Sequence, residues 1–190
     1  AGQCAEVLAA LGGGSILEPG AGTGTMAADI LLELEHLDAL PDEYLILEPS
    51  ADLQARQAET LQQRAPQLQS RVRWLSQAPE SPLSVVIVAN EVLDALPVQR
   101  FANYGTQICE QGVAVAGEGF VFANRPAQER LRSEVAAIQT GIGREFSAGY
   151  VSEVCTTLPA WLQGVGDWLA EGAVLLFDYG FPRGEFYLPE

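Results

Sequence analysis

The chain has 190 residues, of which 48% are apolar, and its 25 acidic against 10 Lys and Arg residues give a net charge of −15 at pH 7. This length suits one domain with a sizeable core, and the charge excludes a basic groove that tracks nucleic acid. The acidic surface suits a basic protein partner, although acidity can also serve solubility alone.

Cysteine usage and hydropathy exclude two further classes of protein. Cys4, Cys109 and Cys155 are far apart and have no neighbouring cysteine pair or histidine cluster, so we expect no metal site and no disulfide framework. We expect no membrane span either, because no apolar run approaches the roughly 20 residues that one requires. A leader peptide is not visible, but the chain begins at Ala1 rather than Met, so an upstream segment could precede it.

The first predicted elements form a strand, a turn and a helix. A short helix over 5–11 is ended by three consecutive glycines, and an apolar strand begins at Ser15. Leucine and isoleucine at helical spacing then predict an amphipathic helix from about Gly24 to Leu37. This βα unit is the part of the fold that a nucleotide-like cofactor needs.

A glycine-rich turn joins this strand to this helix. Its glycines permit positive φ and let a ligand lie against the main chain, while the N–H groups of the helix start face that ligand. We predict that it binds a cofactor, although a glycine turn alone is a weak signal and could be empty. The predicted binding residues here are Glu18, Gly20, Ala21, Gly22 and Gly24.

The spacing of the glycines separates two cofactor classes. A dinucleotide-binding turn would need glycine or alanine at Thr25, and its acidic residue would fall at the end of the second strand. The observed order, acidic-x-Gly-x-Gly-x-Gly from Glu18, resembles motif I of the class I S-adenosylmethionine (SAM) methyltransferases. A nicotinamide-dependent oxidoreductase remains an alternative.

The second strand is predicted over 44–47 and ends at Glu48. A carboxylate at this strand end is placed to accept the two ribose hydroxyls of an adenosine group, and Ser50 lies beside it. The next helix is expected to start at Ser50 or Asp52, since both are good N-caps, and to stop before Pro66.

Two more strands are predicted before the pattern changes. The third covers 72–75 and is followed by Ser76, where such folds hold the adenine ring. The fourth, over 85–89, is apolar at every position, as expected for a strand covered on both faces, and it runs into Asn90, Glu91 and Asp94.

An insertion is predicted at about 99–150, between the fourth and fifth strands. It contains one or two hairpins within 107–123 and a helix over 129–138, and it would be either a substrate lid or a structural extension. A helix over 158–170, ended by Gly172, and a fifth strand over 173–177 complete the chain before Asp178. The predicted fold is α/β: a Rossmann-like, doubly wound, mostly parallel sheet in a single domain over 1–190.

Three segments carry a more specific resemblance. The runs ILEPGAGTG, YLILEPS and above all VANEVLDALPVQRF resemble the MidA/NDUFAF7 family of SAM-dependent methyltransferases, and the later VSEV and LLFDYGF segments fit it too. The resemblance implies methylation of protein arginine, with the mitochondrial member acting on a subunit of respiratory complex I during assembly. Family chains extend beyond both ends of this one, which implies that an N-terminal substrate-gating part and a C-terminal strand region are absent here.

Acidic side chains at the strand ends are the candidate catalytic residues. Carboxylates that grip a guanidinium can orient one nitrogen and hold the extra positive charge as the methyl group is transferred. We assign this contact to Glu91, with Asp94 and Glu153 assisting, and expect Asn90 to orient substrate or the methionine part of SAM. Asp178 would bind substrate or brace the site, and Asp94 and Asp178 could equally be structural.

The predicted partner is a protein with an accessible arginine, and a homodimer remains open. A bacterial member would be cytoplasmic, and a eukaryotic one would be in the mitochondrial matrix. A non-catalytic assembly or scaffold protein that retains the methyltransferase fold is the other alternative from a different functional class.

Overall fold

The structure, a computed structural model, describes residues 1–188. Its chain divides into two compact units. The first unit comprises Ala1–Asp94 and Leu162–Asp178, and the second comprises Ala95–Trp161 and the residues from Tyr179 onward.

The helices and strands alternate through the first unit, whereas strands dominate the second. In chain order the helices are α1 Gly2–Leu11, α2 Thr25–His36, α3 Ala51–Arg64, α4 Glu129–Ile142, α5 Leu158–Asp167 and α6 Arg183–Phe186, with a 3₁₀ helix over Pro66–Arg71. The strands are β1 Ser15–Pro19, β2 Tyr44–Leu47, β3 Val72–Leu75, β4 Leu83–Asn90, β5 Gln99–Asn103, β6 Ile108–Ala116, β7 Gly119–Pro126, β8 Val151–Val154 and β9 Leu169–Phe177.

The first unit is built on a five-stranded parallel sheet in the order β3-β2-β1-β4-β9. Side chains of α1, α2 and α3 pack with Ile16, Ile46 and Val86 in one hydrophobic cluster. Leu17 and Ile87, which alternate with these residues along β1 and β4, are also fully buried. Burial of both faces explains why these strands are continuously apolar in the sequence, and the predicted fold class is confirmed.

The connection from β3 to β4 differs from the other crossovers because it contains no helix. Residues 76–82 cross from the end of β3 to the start of β4 past the two intervening strands, and they do so as an irregular segment. Together with Leu45 and Trp74, this segment lines a cavity of about 420 Å³.

The predicted end of the fifth helix is wrong. α5 ends at Asp167 and β9 begins at Leu169, so Gly172 lies inside the strand rather than after the helix. The register of β4 and β9 shifts between Leu83 and Ser84, just before the pair Val85 and Gly172. Gly172 has φ +134°, and a Cβ added to it would lie 2.0 Å from the carbonyl oxygen of Val85. The glycine therefore marks a close approach of two backbones. In the sequence, a glycine at such a position looks the same as one that ends a helix.

The second unit contains an antiparallel sheet in the order β7-β6-β5-β8, as the predicted hairpins indicate. Helix α4, longer by four residues than predicted, packs Leu131, Val135 and Ile138 against Phe101 and Phe146 in a second cluster. The insertion between the fourth and fifth parallel strands is thus β-rich and helical, as expected. Whether it serves as a lid stays a prediction. Within the described residues, 1–188, no helix is both long and apolar enough to cross a membrane.

Candidate cofactor site

Polar residues follow the strands of the first unit at the point where each strand ends. Glu18 is the penultimate residue of β1, Glu48 follows β2, Asn90 ends β4, and Asp178 follows β9. The strands are parallel and adjacent, so these positions meet at the carboxyl edge of one sheet. Sequence reasoning predicted this convergence, and the structure brings these residues to that edge.

The glycine loop after β1 takes a left-handed conformation at each of its three glycines. φ is +70° at Gly20, +53° at Gly22 and +80° at Gly24, where helix α2 is capped. Gly20 lies against Val92, and Gly24 lies against the backbone and side chain of Gln57, whereas nothing lies within 4 Å of a Cβ built on Gly22. Two glycines therefore allow close packing and the middle one leaves bare main chain open to a ligand. Ala21 is buried, and its carbonyl accepts the N–H of Gly24 at 2.8 Å.

Glu48 is held in place at the end of β2 by its neighbours. Its carboxylate accepts the backbone N–H of Ser50 at 2.9 Å and a longer contact from the side-chain amide of Gln57 at 3.4 Å. The residue is 6% exposed, so only a small area of it reaches the surface at this edge of the sheet. Such a carboxylate, fixed by two donors, can still accept hydroxyl groups with its remaining lone pairs.

Glu18 is more deeply buried than a ligand-binding carboxylate would suggest. It is 1% exposed, and one of its carboxylate oxygens accepts the Tyr44 hydroxyl at 2.6 Å. Burial raises the pKa of Glu18 from its ordinary value of 4.5 to about 7, and the hydrogen bond from Tyr44 opposes this rise. The direct contact with cofactor that we expected for Glu18 remains a prediction.

The raised pKa of Glu18 predicts a pH-dependent stability. The folded pKa of about 7 lies above the ordinary 4.5, so the folded protein keeps a proton that the unfolded chain has released between these values. The free energy of unfolding should therefore fall as pH rises through this window, by roughly 2 kcal/mol between about pH 5.5 and about pH 8. Urea unfolding at several pH values measures this.

The comparison variants for this prediction are Glu18→Gln and Tyr44→Phe. Glu18→Gln removes the titrating group while keeping an oxygen for the Tyr44 hydroxyl, so this component of the pH dependence should vanish. Tyr44→Phe removes the hydrogen bond that lowers the pKa, so the window should extend to higher pH. Equal pH profiles for the protein and Glu18→Gln would contradict the assignment.

Glu91 occupies a strained backbone position directly after β4. Its φ is +51°, a left-handed conformation that is uncommon for a residue with a side chain, and its N–H donates to the carbonyl of Phe177 at 2.8 Å. Its side chain and that of Asn90 are exposed. Strain of this kind costs about 1–3 kcal/mol and concentrates at functional sites. The strand end thus presents both side chains outward.

Asp178 braces the turn that carries Glu91. One of its carboxylate oxygens accepts the backbone N–H of Leu93 at 2.8 Å and that of Asp94 at 3.2 Å. This ties the residue after β9 to the turn after β4. The bracing role is therefore the one that the structure shows for Asp178, and its contact with substrate stays a prediction, as does the catalytic role of the exposed Asp94.

The remaining predicted residues have varied surroundings. The Ser50 hydroxyl caps α3 by accepting the N–H of Leu53 at 3.4 Å, and Ser76 lines the cavity beside β3. Glu153 belongs to the second unit, where it pairs with Arg100 in the register of β8 and β5. Their predicted roles toward cofactor or substrate are untested by these contacts.

Sequence reasoning missed Gln57 and Trp74. Gln57 is fully buried, and its amide contacts the carbonyl of Gly22 at 3.0 Å as well as Glu48. Its position between Leu53 and Leu61, four residues from each, was the available signal, since a polar residue on the apolar stripe of a helix needs a buried partner. The pairing of Glu18 with Tyr44 had no such signal, because it depends on strand register.

A family of proteins matches almost the whole chain. The family is described as "Putative S-adenosyl-L-methionine-dependent methyltransferase", and its model matches residues 1–189. Its cofactor is the one that the glycine loop predicts. A comparison with functionally curated proteins gave no match.

Two crystal structures from Burkholderia thailandensis are similar to this chain. One, of a protein described as uncharacterized, is 44% identical with a TM-score of 0.87, and the match covers 97% of this chain and 48% of that one. The other, described as a methyl transferase candidate bound to S-adenosyl-homocysteine, has the same identity and TM-score and covers 97% of this chain and 46% of that one. The chain thus spans about half the length of these solved relatives.

Proposed function

The chain belongs to this family of S-adenosyl-L-methionine-dependent methyltransferases, and from that premise we propose that its sheet edge binds SAM and that it transfers a methyl group to a protein. The observation that carries the proposal is the open glycine loop beside a fixed Glu48 carboxylate at one edge of the parallel sheet. The relative bound to S-adenosyl-homocysteine supports it. The nicotinamide alternative is set aside, because the family uses SAM.

The residues at this edge fit the parts of SAM. Glu48 would accept the ribose hydroxyls, the main chain around Gly22 would face the methionine part, and Ser76 would lie toward the adenine. When bound, SAM supplies an electrophilic methyl group on a sulfonium. Because nothing in the described part of the chain covers Gly22, the methionine part that carries this sulfonium would have space against bare backbone.

We propose that arginine nitrogen is the methyl acceptor, as the MidA/NDUFAF7 resemblance implies. A guanidinium carries its charge at any ordinary pH, so a carboxylate must hold and orient it. The exposed Glu91, presented by a turn that Asp178 braces, suits that task, and Asn90 beside it would orient the substrate or the methionine part of SAM. Asp94 and Glu153 are proposed to assist.

The net charge of −15 supports a basic protein as substrate. An acidic protein attracts a basic partner over long range and accelerates their encounter, at a rate that falls with ionic strength. A role in the assembly of a respiratory complex, in bacterial cytoplasm or mitochondrial matrix, is the finer proposal that the same resemblance carries.

Isothermal titration with S-adenosyl-homocysteine tests cofactor binding, and transfer of labelled methyl groups from SAM tests the chemistry. Proteins from a strain that lacks this protein serve as acceptors, with methylarginine measured by mass spectrometry. Glu91→Gln should keep cofactor affinity and lose transfer by about 10²-fold or more, because it removes charge stabilisation of the reacting group. Absence of cofactor binding would overturn the proposal. Cellular function that survives loss of methylation would instead favour the scaffold protein.

A further inference from the structure

Gln57 is a polar residue with no exposed surface, at the second turn of α3. Buried amides of this kind are retained only when their donors and acceptor are paired, since an unpaired one costs stability. Gln57 meets this condition, because its amide forms hydrogen bonds with residues from three different segments. Its Nε2 donates to the carbonyl of Gly22 at 3.0 Å and to Glu48 Oε2 at 3.4 Å, and its Oε1 accepts Trp74 Nε1–H at 2.9 Å.

The chemistry of Trp74 fixes the orientation of this amide. An indole N–H only donates, so the oxygen of Gln57 must face Trp74, and the NH₂ group must then face the carbonyl of Gly22 and the carboxylate of Glu48. Both of those groups are acceptors, so no other orientation pairs every atom. The three contacts therefore specify one geometry.

We propose that Gln57 is a positioning residue for the cofactor: one amide sets the distance between the glycine loop and the ribose-binding carboxylate Glu48, and Trp74 locks that amide. This inference rests on the proposed function, because it assigns the ribose hydroxyls to Glu48. The loop follows β1, Glu48 follows β2 and Trp74 lies in β3, so one side chain joins the ends of three adjacent strands. Gly24 packs closely on the Cα, Cβ and Cγ atoms of Gln57, which are the stem of the side chain that carries the amide.

The test compares S-adenosyl-homocysteine with its 2′-deoxyribose analogue by calorimetry of the full chain. The substitution is Gln57→Met, which keeps a similar length but removes the amide. Gln63→Met is the matched control, because Gln63 lies on the same helix, is exposed and makes one side-chain contact, to Glu59 at 3.2 Å. Thermal midpoints are measured for each variant to separate a loss of stability from a loss of positioning.

The unchanged protein should bind S-adenosyl-homocysteine about tenfold more tightly than the deoxy analogue, since a hydrogen bond to a charged group is lost. Gln57→Met should lower the affinity for S-adenosyl-homocysteine about tenfold and bring the ratio of the two affinities close to one. Gln63→Met should leave both affinities unchanged. Gln57→Met could instead weaken both ligands equally and keep the ratio of their affinities as in the unchanged protein. That result would show a purely structural role for Gln57 and overturn the inference.

Two further outcomes are decisive. If the unchanged protein does not bind S-adenosyl-homocysteine at all, the proposed function fails. If it binds and Gln57→Met leaves the ratio of the two affinities unaltered, only the inference on Gln57 fails. If Gln57→Met does not fold, Trp74→Phe takes its place, because it removes the N–H that orients the amide and keeps an aromatic ring. The smaller ring also changes the cavity lining, but that change acts on both ligands alike, so the ratio of the two affinities remains the readout. Trp74→Phe should lower the ratio partway, and an unchanged ratio in that variant would overturn the inference.

Discussion

Replacing Gly172 with alanine is expected to unfold the first unit. The added Cβ would lie 2.0 Å from the carbonyl oxygen and 2.9 Å from the carbonyl carbon of Val85, and both atoms belong to the backbone of β4. Neither can move without breaking the pairing of β4 with β9, and φ at this position is +134°. We expect a loss of more than about 4 kcal/mol, a large part of the stability of an ordinary domain.

Urea unfolding followed by circular dichroism measures this effect, and Gly164→Ala is the control. Gly164 lies in α5 of the same unit, and nothing lies within 4 Å of a Cβ placed on it. Alanine there should be neutral or should stabilise by about 0.5–1 kcal/mol, since it favours the helix. Equal unfolding midpoints for Gly172→Ala and Gly164→Ala would contradict the close approach of the two strands.

The second large effect separates two glycines of the cofactor loop. Gly24→Ala should cost more stability than Gly22→Ala, because its Cβ would lie 3.1 Å from Gln57 Cα, whereas that of Gly22 meets nothing within 4 Å. Both pay a left-handed penalty of about 1–2 kcal/mol, and the contact at Gly24 should add at least about 1 kcal/mol. Gly22→Ala should instead weaken S-adenosyl-homocysteine binding more than about tenfold, since its side chain enters the space proposed for the ligand.

Thermal or urea unfolding and calorimetry provide the two readouts, and Gly12→Ala is the matched control. Gly12 has φ +74° and open space around its Cβ position, but it caps α1 rather than the cofactor loop. The Gly12→Ala variant should therefore lose as much stability as the Gly22→Ala variant and keep its affinity for S-adenosyl-homocysteine. Equal stabilities for the Gly22 and Gly24 variants would refute the packing on Gln57, and unchanged affinity in Gly22→Ala would refute the placement of the ligand.

Much of the parallel sheet could be predicted because its signals are local. Continuous apolar runs mark β1, β2 and β4, helical spacing marks α2, and glycine, proline and serine mark the turns between them. The stop before Pro66 was correct for the same reason, and of the two predicted N-caps, Ser50 and Asp52, the structure has Ser50. Since consecutive strands with a helical crossover form a parallel pair, the gathering of Glu18 and Glu48 at one edge followed from topology alone.

The failures share a different cause. Gly172 was interpreted as a helix stop because glycine gives the same local signal whether it ends a helix or allows two strands to approach. Two roles, substrate binding and bracing of the site, were left open for Asp178, because only the fold shows which N–H groups donate to its carboxylate. Each of these contacts joins residues that are distant in the sequence.

The sequence by itself determined the class of fold, the cofactor loop and the acidic strand ends, because these depend on residues within one turn or one strand of each other. Only the tertiary structure decided the burial of Glu18 against Tyr44, the three contacts of Gln57 and the fit of Gly172 on Val85. Those depend on strand register and on the packing of helices against the sheet. A shift of one residue in register moves every side chain to the opposite face, and no local pattern fixes that choice for strands buried on both faces.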